Sequence, residues 1–302
     1  MSTLLKRPLY SVTIAFFLPI LFSSCSEAGN ARVIDSRDTT LPAKTTEISY
    51  KPAPIDSASY KELLDHITNG DSSGRWPANN SLPPEGAILP FNRIIAYYGN
   101  LYSKNMGILG EFPKDSMIGR LRQEVEKWQA ADTMVKVIPA LHYIAVTAQQ
   151  SPGPGNTYRL RMPFQQIDKI ISWANEINAL VFLDVQVGLS DLQKELPALE
   201  KYLSLPNVHL GIDPEFSMKT GKRPGTAIGT FDAADINYAI NFLTDIVKKN
   251  NLTPKILVVH RFTQPMVTNY KQIKTNPAVQ VVMNMDGWGS SAKKIGTYKS
   301  FI

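Results

Sequence analysis

The chain has 302 residues, 43% hydrophobic and 19% charged, enough for one large domain with a sizeable core. Its 32 basic and 26 acidic residues give a net charge of +6 without any basic block, so no nucleic-acid surface is implied. A single cysteine excludes a disulfide framework and a cysteine-based zinc cluster.

The chain opens on Lys6 and Arg7, then a mostly apolar run from Leu9 to Phe22, then Ser23, Ser24 and Cys25. The apolar run is too short and wrongly flanked for a comfortable membrane span. This order of segments resembles a bacterial lipoprotein signal peptide. The resemblance implies lipidation of Cys25 as the new N-terminus. The acyl chains then hold a soluble domain to a membrane of the cell envelope, at the outer membrane or the periplasmic face. An ordinary secretory signal with an incidental cysteine is the alternative.

Residues 26–88 are rich in Pro, Ser, Thr, Asn and Asp and poor in apolar periodicity, which reads as a tether and irregular lead-in. One short helix is expected there, over Ser57–Ile67. From residue 89 onward apolar runs alternate with amphipathic stretches. Strands are expected over Asn92–Tyr98, Val135–Ile144, Leu180–Val187, Val208–Phe216, Ile256–Phe262 and Val279–Asp286. Helices are expected over Asp115–Ala130, Phe164–Asn178, Ser190–Leu203, Asp232–Asn250 and Pro265–Thr275. Strands alternating with helices imply a parallel sheet with right-handed crossovers. No glycine-rich phosphate loop follows the first strand, which argues against a nucleotide fold and a nucleotide cofactor. The expected fold is a parallel (β/α) TIM-type barrel over 89–302. A closed ring takes about eight strands, and six are found here, so the barrel is read as incomplete: truncated at its C-terminal side, or closed in another way.

The stretch Val208–Phe216 organises this reading. Leu210 and Ile212 alternate with Gly211, Asp213 and Glu215, and strand side chains alternate faces with period two. One face is apolar and the other ends in two carboxylates. Pro214 cannot donate to a ladder, so pairing is expected to stop about there, with Asp213 last in the strand and Glu215 on the rim. Like charges held close push one pKa up, so one carboxyl can serve as an acid near neutrality. The plainer reading is a solvated Asp-Pro turn.

The other strand ends also carry polar groups, and sites of parallel β/α folds lie at such ends. Tyr98 ends the first strand and His142 the second. Asp184 and Gln186 share a face on the third, above Phe182. His260 points inward on the fifth, sharing a face with Ile256 and Val258, while Arg261 points away. Asn284 and Asp286 share parity on the sixth, and Trp288 just beyond is placed to stack on a sugar ring. His209 starts its strand and reads as structural. The 151–162 loop brings Tyr158, Arg159 and Arg161 toward the mouth, to cover it and meet an anionic or hydroxylated ligand, unless it is only a solvated loop. No metal is expected, because the sequence holds no His-x-His and no His-Glu-x-x-His. No Gly-x-Ser-x-Gly elbow points to a serine hydrolase.

Asp213-Pro214-Glu215 resembles the end of the fourth-strand Asp-x-Asp-x-Glu pattern of family 18 glycoside hydrolases, the chitinase-like barrels, with Gly211 standing where the first Asp is expected. Met283-Asn284-Met285-Asp286 is similar to that family's sixth-strand Met-x-Tyr-Asp, and Ala96-Tyr97-Tyr98-Gly99-Asn100 to its first strand. The resemblance implies Glu215 as general acid, Asp213 as the group that positions a substrate acetamido nucleophile, and Asp286 as a further holder of that group. The leading expectation is therefore a glycosidase acting on a carbohydrate substrate without a cofactor. A non-catalytic glycan-binding lipoprotein and a metal-dependent hydrolase are the other two readings.

Overall fold

The computed structural model describes residues 57–71, 82–287 and 289–301. Cys25, the leader, most of the tether and Trp288 lie outside the described residues.

In chain order, helix α1 (Ser57–Ile67) precedes strand β1 (Asn92–Gly99), a short helix α2 (Ile108–Glu111), α3 (Lys114–Ala131), β2 (Lys136–Ala148) and a three-residue β3 (Arg159–Arg161). Then come α4 (Phe164–Glu176), β4 (Leu180–Val185), the single-turn helices α5 (Leu192–Glu195) and α6 (Glu200–Leu203), and β5 (Val208–Ile212). The chain continues with β6 (Phe231–Asp232), α7 (Ala233–Asn250), β7 (Lys255–Arg261), β8 (Val267–Thr268), β9 (Val279–Met285) and α8 (Ser291–Phe301). The sheet order is β1-β2-β4-β5-β7-β9, and every neighbour along that path is parallel. The result is a curled, mixed α/β half-barrel. Strand β3 runs antiparallel to the far end of β2. β6 and β8 form a separate two-stranded pair.

The strand alternation read from the sequence sorts the two faces. Outward residues Val181, Leu183, Val185, Leu210, Ile212, Leu257 and Val259 join the main core with the helices. Helix α4 meets them with Ile167, Ile170, Ile171 and Ala174, all buried and spaced three or four apart. Helix α7 does the same with Ile236, Ala239, Ile240 and Leu243. It begins at a capping box: the Asp232 side chain accepts from the Ala234 N–H, and the Asp232 N–H donates to Asp235 at 2.7 Å. It stops at Asn251, whose φ of 49° is left-handed.

Inward residues Ile138, Ala140, Leu180, Phe182, Ile256 and Val258 form a second, smaller cluster with Ile88. This is a filled floor of the kind that closes the interior of parallel barrels. The end of the lead-in segment takes part in it through Ile88. The Ile88 and Leu89 N–H groups both donate to Gln280 Oε1 at 3.1 Å, and Gln280 Nε2 donates to the Leu89 carbonyl at 2.6 Å. Asn92 Nδ2 donates to the Ile88 carbonyl at 2.8 Å. The sheet's two end strands, β1 and β9, are thus tied at their amino ends by residues 88–92.

Several expected elements differ in type or extent. The expected helix Ser190–Leu203 is α5, a 3-10 turn Leu196–Leu199 and α6, because Pro197 lacks the N–H and crowds the preceding turn. The expected helix Pro265–Thr275 is two 3-10 turns around β8, interrupted where Asn269 adopts a left-handed φ of 52°. The Val208–Phe216 strand stops at Ile212, and Pro214–Phe216 turn into a 3-10 helix capped by the Asp213 side chain. β2 runs on to Ala148, so His142 lies within it and not at its end.

Candidate functional site

Directly above the apolar floor the inward face turns polar. Two residues further along each strand, Ile138 and Ala140 give way to His142, Leu180 and Phe182 to Asp184, and Ile256 and Val258 to His260. Asp184, with no exposed surface, is the hub. Its Oδ1 lies 3.2 Å from His142 Nε2 and 3.0 Å from His260 Nε2, and its Oδ2 accepts from the Tyr98 hydroxyl at 3.1 Å. On its far side His260 Nδ1 meets Asp286 Oδ2 at 2.7 Å. The Tyr98 ring lies edge-on to both imidazoles, and the His142 ring stacks on Phe182.

Gln186 links this hub to the acid pair. Its Oε1 accepts from the Ala148 N–H at 3.1 Å, and its Nε2 donates to the Tyr98 oxygen at 3.3 Å and to Asp213 Oδ2 at 3.4 Å. Asp213 Oδ1 accepts from the Glu215 N–H at 3.0 Å. The Glu215 carbonyl accepts from the Gly229 N–H, which ties this turn to the following loop. Asp213 is buried and Glu215 half-buried. Asn284 lies beside His260 in the β7–β9 register, and its carbonyl accepts from the Asp286 N–H at 3.0 Å.

The electrostatics divide the groups. Burial alone would raise the Asp184 carboxyl, but the attraction of His260 and hydrogen bonds from both imidazoles outweigh it and hold Asp184 ionised, well below the usual range. His260 goes the other way: burial disfavours its charge, yet Asp184, Asp286 and Asp213 raise its pKa well above the ordinary histidine value. His142 is lowered, chiefly by burial. Burial pushes Asp213 up to about 8, with Asp184, Glu215 and Asp286 adding to the rise and His260 opposing it. Glu215 is also raised, by burial and then by Asp286. At neutral pH the site therefore pairs an ionised hub with acids held toward their neutral form. Glu215 raises Asp213, and Asp286 and His260 act on both carboxyls, so the two acids share one electrostatic neighbourhood beyond the end of β5.

An aspartate that is neutral in the fold but ionised when unfolded takes up protons on folding. Its stability contribution is flat below pH 3.8, falls as pH rises to about 8, and is flat again above. Asp213→Asn keeps the Oδ1 acceptor for the Glu215 N–H and removes that slope. Chemical denaturation at pH 4 and pH 8 is expected to show the variant gaining on the wild type across this window. An equal difference at both pH values would refute a neutral Asp213.

Gly211 also belongs to the site, although in the sequence it marks only a departure from a family pattern. A β-carbon there would lie 2.3 Å from Asp184 Oδ1 and 2.5 Å from His142 Nε2. Asp184 is Gly211's register partner on the neighbouring strand, so its carboxylate fills the space that an acid at 211 would need. The 151–162 loop departs from expectation. Arg159 Nε and Arg161 Nε grip the two oxygens of the fully buried Glu195 at 2.8 and 2.7 Å, so these guanidiniums fasten β3 to α5 and do not face a ligand. His209 is structural, as expected: its Nδ1 accepts from the Ile256 N–H at 3.0 Å. Among the described residues, His142, Asp184 and His260 are the cluster with three ligand atoms close enough to share a metal ion.

No family model, curated protein or solved structure matches this chain.

Proposed function

We propose that this chain is a lipid-anchored glycoside hydrolase of the bacterial cell envelope, built on an incomplete TIM-type (β/α) barrel and cleaving O-glycosidic bonds of a carbohydrate through Glu215 and Asp213. The observation that supports this reading is a pair of acids, both raised in pKa, that directly follow the carboxyl end of a central parallel strand. Glu215, half-buried and with its pKa raised, donates a proton to the glycosidic oxygen. The bond between that oxygen and the anomeric carbon breaks, and its electron pair leaves with the oxygen. The positive charge that develops on the sugar faces the ionised Asp184, and water supplies the new bond to the anomeric carbon, giving its proton back to the Glu215 carboxylate.

Asp213, neutral and fixed by the Glu215 N–H and Gln186, orients a substrate group such as an acetamido. Asp286 Oδ1 is buried with no hydrogen-bond partner among the described residues, so it offers an acceptor for that group's N–H. Tyr98, Gln186 and Asn284 line the same inward face. The membrane attachment rests on the lipoprotein-like order of residues 6–25 alone.

A non-catalytic glycan binder is the second reading, favoured by Gly211 and Met285 standing where the chitinase-like pattern has an acid and a tyrosine. Calorimetry on a panel of oligosaccharides, with and without acetamido sugars, run beside product analysis, separates the two. The hydrolase reading expects shortened products from at least one oligosaccharide that binds. Binding with no product across the panel would leave the binder, and no binding at all would overturn both.

A further inference from the structure

We propose that His142 Nε2, His260 Nε2 and Asp184 Oδ1 form a three-ligand site for a divalent transition-metal ion, zinc foremost, with a solvent molecule as the fourth ligand.

The donor set is two imidazole nitrogens and one carboxylate oxygen, a combination that suits zinc and its neighbours in the first transition row. The three residues sit on three different strands of one sheet, so their positions are fixed by backbone ladders and not by a loop. Metal–ligand distances of about 2.0–2.2 Å in a tetrahedron put neighbouring ligand atoms about 3.3–3.6 Å apart. Here the nitrogens lie 3.2 and 3.0 Å from Asp184 Oδ1, and all three ligand atoms lie within 4.8 Å of one another.

The surrounding groups are those a metal ligand needs. Asp286 takes the Nδ1 side of His260 at 2.7 Å, which fixes the tautomer that leaves an Nε2 lone pair free for an ion. Tyr98 donates to Asp184 Oδ2, which leaves Oδ1 for the ion. Gly211 supplies the space, since any side chain there would press on two of the three ligand atoms. Without an ion the same contacts require both imidazoles to crowd N–H donors onto one carboxylate oxygen. The linear sequence hides the set, because 42 residues separate His142 from Asp184 and 76 separate Asp184 from His260.

The inference stands apart from the glycosidase reading, and its test reads binding alone. The full chain, stripped with a chelator and dialysed, is titrated with Zn²⁺ by calorimetry, and its melting temperature is followed with and without the ion. Co²⁺ is then substituted and its visible spectrum recorded. The expected result is one Zn²⁺ per chain, a higher melting temperature, and the intense visible bands of a four-coordinate Co²⁺ site. His142→Gln, checked for fold by circular dichroism, should abolish stoichiometric binding. Asp286→Asn, which leaves all three ligands in place, should weaken binding on the order of 10–100-fold. Absence of stoichiometric binding in the wild type, or binding that survives unchanged in both variants, would overturn the site.

Discussion

Glu215→Gln is expected to lower the hydrolysis rate on the cleaved oligosaccharide by on the order of 10²–10⁴-fold while leaving substrate affinity and melting temperature near wild type. Glutamine keeps the shape of the side chain and its place in the turn that follows β5, but it has no proton to give. The fold should tolerate the change because burial and Asp286 already bias this carboxyl toward its neutral form, and the amide is neutral and of the same size. The wild-type rate should also fall as pH rises through the raised pKa of Glu215, and that alkaline limb should vanish from the small activity left in the variant. Single-turnover rates across pH, paired with calorimetric affinities, are the measurement. A variant that retains full rate would remove Glu215 from the chemistry, whatever happened to binding.

Asp184→Asn is expected to produce the largest loss of stability. The carboxylate has no exposed surface and takes contacts from His142, His260 and Tyr98. An amide of the same size presents one acceptor and an NH₂, so either the two imidazoles or the Tyr98 hydroxyl face a donor, and the charge opposite His260 is lost in both orientations. His260 is then left a buried cation held from one side only, by Asp286. Removing one member of a buried charged set costs about 3–5 kcal/mol, which for a domain of this size lowers the melting temperature by roughly 10 °C. The two aspartates should therefore respond in opposite senses at neutral pH: losing the charge at 184 destabilises, whereas an amide at 213 avoids the cost of neutralising a carboxyl on folding. Melting curves of both variants in one buffer check this, and parallel shifts would show that the hub and the acid pair have been assigned the wrong charge states.

Much of this arrangement is legible in the chain because strand parity is a strict rule. Reading alternate residues placed Leu210 and Ile212 against the helices, Val258 and His260 inward, and Asp184 above Phe182, and each lies where parity puts it. Helices α1, α3, α4 and α7 follow from apolar residues three and four apart. The misses arise where a local signal competes with a distant one. Pro197 and Asn269 break stretches whose apolar spacing alone reads as helical. Arg159 and Arg161 look like ligand-seeking cations until Glu195, more than thirty residues further on, folds back to take them. Asp184 could be put on the right face, but its role as the hub needs the register between β2, β4 and β7, and no single segment contains that. For the same reason Gly211 reads as an absence until the neighbouring strand is in place beside it.

The knot of hydrogen bonds between Gln280 and residues 88–89 has a consequence for how the chain is made. The partners are 191 and 192 residues apart, and the earlier one leaves the ribosome first. Until the last strand of the sheet has been synthesised, the segment carrying Ile88 has no anchor, and the underside of Phe182 and Ile256 stays open to water and to other sticky surfaces. A nascent chain stalled just short of residue 280 should therefore bind hydrophobic-surface dyes and holdase chaperones, and one released a few residues beyond it should not.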